Sequence, residues 1–347
     1  MKVYYWSPYL SKIGTIKAVY NSCKTLRNNG IDAKIINAVG EWSHIEQDLR
    51  IDLSKKNYFY KILSSGGFIK SRIAYIFIFI ITFIPLLKLL RKEKPNFLII
   101  HLITSLPLIL KKFFSIKSSI ILRISGKVKF GILRSFLWKN LSNKIIVTSP
   151  TEETKKILND KKIFSEDKIY LLKDPILESL SEFKPQYFNF KNRNKFLSVG
   201  RLTKQKNFSF LVNSFSILVK RFKQITLTII GENAEEEELL KKLIIKKNLQ
   251  NNVFLLGYKK DINNLYKYYD CFILSSLYED PGAVLIEAAN NFLPIISSDC
   301  PSGPKEILEY GKNGFLFTTN DQNDFLKVFE EYINAPEDEL KNKILSL

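Results

Sequence analysis

Short runs of β-branched and aromatic residues recur along this chain, each closed by glycine or polar punctuation and followed by a stretch with helical spacing. In the C-terminal half they read KFLSVGR, ITLTIIG, NVFLLG, CFILSS, LPIISSD and GFLFTT. The N-terminal half carries KVYYWS, DAKIINAV, NFLIIHLI, SSIILRIS and KIIVTS, and the first of these leads into GTIKAVYNSCKTLRNNG, a helix with Gly30 placed to cap it. Strands that alternate with helices pair in parallel through right-handed crossovers, so the pattern predicts α/β architecture. At 347 residues there is enough chain for two such domains, each with its own core. The segment LLKDPILESLSEFKPQ, residues 171–186, breaks the alternation with two prolines and is the expected connector. The domains are therefore placed at residues 1–178 and 179–347: two Rossmann-like parallel-sheet domains facing each other across a cleft, with ligands at the carboxyl ends of the strands.

Charge divides the halves sharply. Residues 1–152 hold 25 Lys and Arg against 7 Asp and Glu, whereas residues 153–347 hold 28 against 27. Between Asp52 and Glu152 the only acidic residue is Glu93. Such asymmetry calls for an anionic partner: nucleic acid, an anionic membrane or a phosphorylated acceptor. Inside the basic half, Ile73 to Leu87 is almost wholly apolar and flanked by Lys70, Arg72, Lys88, Arg91 and Lys92. The run is shorter than the roughly 20 residues of a spanning helix, and Pro85 interrupts it. A buried core helix and a helix lying in a membrane interface both satisfy it. The basic flanks favour the interface, with Phe77 and Phe79 as contacts. Cys23, Cys271 and Cys300 have neither metal-ligand spacing nor an even number for disulfides, and MKVYYWSPYL has no secretory leader, which points to a reducing cytoplasm.

Chemistry concentrates in SLYEDPGAVLIEAANN, Ser276 to Asn291, where Glu279 and Glu287 stand with seven residues between them across a Pro-Gly break that opens a helix. The carboxylates could simply complement a helix dipole. Alternatively, the Pro281-Gly282 break lets Gly282 and the residues after it present backbone N–H groups to an anion, Glu279 grips a hydroxylated group beside it, and Glu287 reaches the same ligand from within the helix. SVGRLTKQKN adds Arg201 and Lys206 on a strand-to-helix loop, with Gly200 allowing close backbone approach; two cations there suit a diphosphate.

GRLTKQKN, SLYEDPGAVLIEA and DCPSGPKEILEYGKNGFL follow one another in an order and spacing that resemble the family-four retaining glycosyltransferases of the GT-B fold. The resemblance spans nearly the whole chain and is strongest over residues 196–320. It implies that Arg201 and Lys206 hold the diphosphate of a nucleotide-sugar donor, most commonly a UDP-sugar. It implies further that Glu279 holds donor-sugar hydroxyls, that Glu287 binds the ribose diol, and that the backbone of Pro281, Gly282, Ala283 and Val284 contacts sugar and phosphate. Gly257 and Tyr258 match the turn whose backbone reads the base. PNFLIIHLITS stands where the family usually has His-x-His; Ile99 replaces the first histidine and His101 keeps the second, which lines the active site. The family's Gly-rich acceptor loop is reduced here to Gly14 and Thr15, and Arg123 stands where many relatives have a histidine-containing turn, offering a cation to an acceptor phosphate.

The residue types suit the chemistry. An oxocarbenium-like transition state with a departing diphosphate needs positive charge at the leaving group and oriented hydroxyl contacts. No Asp-x-Asp pair exists in the sequence, so neither metal nor cofactor is expected. By the resemblance, front-face attack assisted by the donor phosphate gives retention without a carboxylate nucleophile. A two-carboxylate glycosidase would leave the cationic loop without a role, and fold class alone leaves a sugar-phosphate isomerase open. A nucleic-acid-binding protein is the alternative from another class, against which the basic region has no binding motif and interleaves its cations with a long apolar helix. The expectation is a hexosyl- or N-acetylhexosaminyltransferase, peripheral on the inner face of the plasma membrane. Its partners would be a nucleotide-sugar, a glycan or polyprenyl-diphosphate-linked acceptor and an anionic membrane surface, and no nucleic acid.

Overall fold

In the computed structural model the chain forms two compact units, Met1–Glu178 and Ser179–Leu347. Residues 1–10, 14–53, 68–125, 130–177, 190, 193–232 and 234–346 are described, with the backbone alone at 68–72, 234 and 235. Part of the expected connector, residues 178–186, lies outside these, as do the side chains of Lys70 and Arg72.

The N-terminal unit runs β1 (Lys2–Trp6), α1 (Gly14–Asn28), β2 (Asp32–Asn37), β3 (Arg50–Asp52), α2 (Phe68–Glu93), β4 (Phe97–Ile100), α3 (Ser105–Phe113), β5 (Ser119–Arg123), α4 (Ile132–Leu141), β6 (Ile145–Ser149), α5 (Glu152–Asp160) and β7 (Ile169–Leu171). Among the described residues its sheet has seven strands, all parallel, in the order β3-β2-β1-β4-β5-β6-β7. The C-terminal unit runs β8 (Lys195–Val199), α6 (Phe208–Arg221), β9 (Thr226–Ile230), α7 (Ala234–Lys246), β10 (Val253–Leu255), α8 (Asn263–Tyr266), β11 (Cys271–Leu274), α9 (Ala283–Asn290), β12 (Ile295–Ser298), α10 (Pro304–Ile307), β13 (Phe315–Phe317), α11 (Gln322–Asn334) and α12 (Glu337–Leu345). Its sheet is likewise parallel, in the order β10-β9-β8-β11-β12-β13. In each sheet the order reverses beside the first strand, between β1 and β4 and between β8 and β11. Such a reversal parts the flanking loops and opens a crevice at the carboxyl ends of the strands.

Central strands are covered on both faces, and CFIL and IISS are buried at every position; the two serines of the second are satisfied by hydrogen bonds, Ser297 Oγ donating to Ser298 O at 2.9 Å and Ser298 Oγ to Ser276 O at 2.7 Å. Each unit has its own cores. Phe196, Phe215, Phe325 and Phe329 lie in the largest core of the C-terminal unit; Trp6, Ile100, Leu122 and Val147 lie in that of the N-terminal unit. Cys23, Cys271 and Cys300 are free and buried.

Helix α2 corrects two expectations. It continues to Glu93, 26 residues in all, and Pro85 lies inside it. Proline removes its own N–H bond and its ring crowds the carbonyl of Ile81, one turn earlier, but packing on either side carries the helix through. Nor is the helix simply core or simply surface. Ala74, Ile78, Thr82, Leu86 and Leu90, four residues apart, form a buried stripe, four of them within the sheet-side core. On the other side Ile73, Ile76, Ile80 and Ile84 are each 60–64% exposed. A helix bound to its own sheet along this stripe is a crossover of the unit, although its length, and a mean hydropathy of 2.5 over its most apolar 18 residues, would let it cross a bilayer.

Candidate active site

Strand β8 ends at Val199 and its neighbour β11 at Leu274, so the loops after them leave from the sheet's reversal point. The first loop carries Gly200, Arg201 and Lys206; the second carries Ser275, Ser276 and Glu279. They are joined at several points. Ser275 Oγ donates to Lys206 O at 2.9 Å, Gln205 Nε2 to Tyr278 O at 2.7 Å, and the Leu277 N–H to Gln205 O at 2.8 Å.

At the centre of this junction Lys206 Nζ lies 2.5 Å from Glu279 Oε1, and Ser276 Oγ donates to the same oxygen at 2.6 Å. The two side chains are 14% and 8% exposed, so the pair is strengthened by the low surrounding dielectric while keeping one open side. Glu279 Oε2 has no partner among the described residues. Lys206 reaches this position by lying across Gly200, where a Cβ would stand 2.8 Å from its Cε. Arg201 is exposed and makes no ion pair among the described residues.

A second loop contact fixes the start of α9. The Glu279 N–H donates to Pro301 O and the Ser302 N–H to Glu279 O, both at 2.7 Å. Gly303 packs against Pro281 so closely that a Cβ would stand 2.0 Å from Pro281 O; no other residue fits there. Gly282, with φ of +100°, precedes α9, so Ala283 and Val284 begin the helix and their N–H groups face its N-terminal side. Glu287, one turn further, is partly buried and accepts from Tyr266 OH at 3.4 Å. Gly257 follows β10 with φ of +64°, its carbonyl accepting from the Gly231 N–H at 3.0 Å, and Tyr258 beside it is 48% exposed. Arg201, Lys206, Gly257, Glu279, Pro281 to Val284 and Glu287 thus share the carboxyl-end side of one sheet, and Lys206 and Glu279 touch.

In the N-terminal unit His101 follows β4, its N–H donating to Trp6 O at 3.0 Å beside the reversal between β1 and β4. The ring is buried, and neither Nδ1 nor Nε2 has a hydrogen-bond partner among the described residues. Burial, and then the charge of Arg123, hold its pKa well below the usual 6.5, so the imidazole is neutral at physiological pH. A neutral ring with two unengaged nitrogens offers one donor and one acceptor to a polar ligand. Gly14 and Thr15 open α1, as the loop-to-helix match requires.

Arg123 departs from its expected role. It is 4% exposed and bonds Asp174 through both Nε and Nη2, with Nη1 on Ser22 Oγ at 3.0 Å. Its positive charge is neutralised inside the protein and is not available to an acceptor phosphate. Sequence reading missed this because Asp174 lies 51 residues away, in the segment after β7. Asn21 on α1 holds the same segment, its Nδ2 donating to Pro175 O at 2.8 Å and Ile176 O at 3.2 Å. Ser276 was also unremarked, and only the short spacing to Glu279 could have signalled it.

Residues 181–344 match the model of the family described as glycosyl transferases group 1. A Methanocaldococcus jannaschii protein, described as an uncharacterized glycosyltransferase, is 33% identical over 285 residues, 67% of this chain and 65% of that one. A Campylobacter jejuni N-acetylgalactosamine-N,N'-diacetylbacillosaminyl-diphospho-undecaprenol 4-alpha-N-acetylgalactosaminyltransferase is 36% identical over 135 residues, 38% of this chain and 35% of the relative. The aligned part of the chain therefore spans less than two thirds of either relative. Among solved structures, the pneumococcal O-GlcNAc transferase GtfA in complex with UDP and GlcNAc superposes with a TM-score of 0.73 at 13% identity, over 100% of this chain and 94% of that one. That likeness establishes the two-unit GT-B fold.

Proposed function

We propose that the protein, whose residues 181–344 match the model of glycosyl transferases group 1, transfers a hexosyl or N-acetylhexosaminyl group from a UDP-sugar to a glycan or polyprenyl-diphosphate-linked acceptor, with retention of configuration. The observation that carries this reading is the contact of Lys206, Glu279 and Ser276 where the loops after β8 and β11 meet. It sets a cation and an oriented carboxylate side by side, as a leaving diphosphate and its sugar require. Arg201 and Lys206 stabilise the negative charge that grows on the diphosphate as the bond from the anomeric carbon to the phosphate oxygen breaks. Glu279, its Oε1 fixed, accepts a sugar hydroxyl on Oε2. The first N–H groups of α9 meet phosphate and sugar, Glu287 binds the ribose diol, and Gly257 and Tyr258 border the base. His101 contacts donor or acceptor as a neutral hydrogen-bonding group. The acceptor oxygen bonds to the same face of the anomeric carbon and its proton passes to the departing phosphate oxygen, so no protein nucleophile is needed.

The name of the Campylobacter relative supports a lipid-linked acceptor, and the GtfA complex supports UDP. The basic N-terminal half and the outward stripe of α2 support work at the cytoplasmic face of an anionic membrane. A thermal-shift panel of nucleotides and sugar nucleotides tests the donor. A ligand at a hundredfold its dissociation constant stabilises by about 2.7 kcal/mol, and a UDP-sugar is expected to raise Tm where adenine nucleotides do not. UDP release with a lipid-linked acceptor is expected to survive EDTA; activity restored only by Mg²⁺ or Mn²⁺ overturns the metal-free account.

A further inference from the structure

We propose that the N-terminal unit meets the membrane on two apolar feet, and that the second, formed by the start of α4 and the end of α3, takes the interface of an anionic bilayer. The inference rests on the peripheral reading above and names a part of the surface that it did not include.

Helix α4 buries Leu137, Trp138 and Leu141 in the unit and turns Ile132, Leu133 and Phe136 outward, 93%, 65% and 56% exposed. A helix that exposes its largest side chains while burying others of the same kind has two apolar sides, only one of which its own fold covers. Phe113 at the end of α3 is 64% exposed. Lys112 links the helices, its Nζ 5.3 Å from the Phe113 ring and 4.9 Å from the Phe136 ring. The same corner adjoins α2: the Phe114 ring meets Phe83 edge-on at 5.4 Å, and Arg91 reaches Phe114 O at 3.5 Å. The C-terminal part of α2, the end of α3 and α4 thus adjoin on one unit.

Charge selects the occupant. Lys88, Arg91, Lys92, Lys117, Arg134 and Lys139 are exposed on or beside these helices. The only acidic residue between Asp52 and Glu152, Glu93, is already engaged by Lys2 at 3.2 Å and by Tyr4 OH at 3.3 Å. A second copy of the chain docking on this surface would bring like charges together. Anionic headgroups instead neutralise the cations while aliphatic and aromatic tips enter the acyl boundary, an attraction that salt screens.

Flotation with phosphatidylglycerol-containing and pure phosphatidylcholine vesicles tests this on the full chain. The wild type is expected to float with the anionic vesicles at low salt and to be released at high salt. Ile132→Ser/Leu133→Ser/Phe136→Ser is expected to lower the partition coefficient at least tenfold, while its Tm and its UDP-induced shift stay those of the wild type. Ile76→Ser/Ile80→Ser, on α2, reports the first foot separately. If the α4 variant floats like the wild type while the α2 variant does not, the second foot is refuted and the first stands. A wild type that floats with neither vesicle overturns both. If the wild type is a dimer by analytical ultracentrifugation and the α4 variant a monomer that floats unchanged, the surface belongs to a second copy and the proposal falls.

Discussion

Glu279 has one oxygen held by Lys206 and Ser276 and the other without a partner among the described residues, and this division separates the roles of the two charged residues. Removing the carboxylate frees Lys206 to meet a diphosphate unopposed. Removing the amine leaves a mostly buried carboxylate with only a hydroxyl donor, which repels the leaving group. Glu279→Ala is therefore expected to reduce turnover of the sugar nucleotide by about 10²–10³-fold, the scale of losing an oriented transition-state contact, while affinity for free UDP is kept or improved. Lys206→Met is expected to weaken both. Turnover measured alongside UDP binding by calorimetry decides it, and an equal loss on both ligands in Glu279→Ala would mean that this carboxylate does not touch the sugar. Neither the pairing nor the role of Ser276 was legible in the sequence, because the spacing of an E-x7-E motif says nothing about a lysine on another loop.

At the scale of elements, strongly patterned segments were readable and short or uniformly apolar ones were not. All six strands of the C-terminal unit and five of the seven in the N-terminal unit are visible as β-branched runs. The other two are β3, whose sequence RID has a single apolar residue, and β7, which ends at Leu171 and so runs into the segment read as the connector. The rotation of α2 was hidden because almost every position from Ile73 to Leu87 is apolar; Phe79, expected at the outer surface, packs toward the core. Helix α4 was hidden for the opposite reason, since ILRSFLWKNL reads as an ordinary half-buried helix. The Arg123–Asp174 pair shows how partners distant in sequence change a residue's meaning. With side chains 4% and 2% exposed, the pair ties β5 to the segment after β7. Arg123→Met or Asp174→Asn alone leaves a buried charge and is expected to destabilise by about 3–5 kcal/mol in urea unfolding, whereas changing both together costs less than the two single losses combined. If the double variant lost as much as that sum, the two side chains would contribute independently.

For the whole molecule, the separate cores and the position of the three thiols have a practical consequence. Burial lifts Cys23 and Cys300 to about 12 and Cys271 well above its ordinary value, so none is a thiolate near neutral pH and none is reachable while its surroundings stay packed. Cys23 lies in the first unit, Cys271 and Cys300 in the second. Each sulfur is thus a silent reporter that answers an alkylating reagent only when its own half opens, and mass spectrometry of the cleaved products reads the halves apart in one tube. With a core in each half, the expected result is two opening free energies, and a nucleotide that slows modification of Cys271 and Cys300 while leaving Cys23 unchanged. Equal protection of all three would instead make the chain a single cooperative body. Its own cysteines would then have measured how far the grip on a donor is felt.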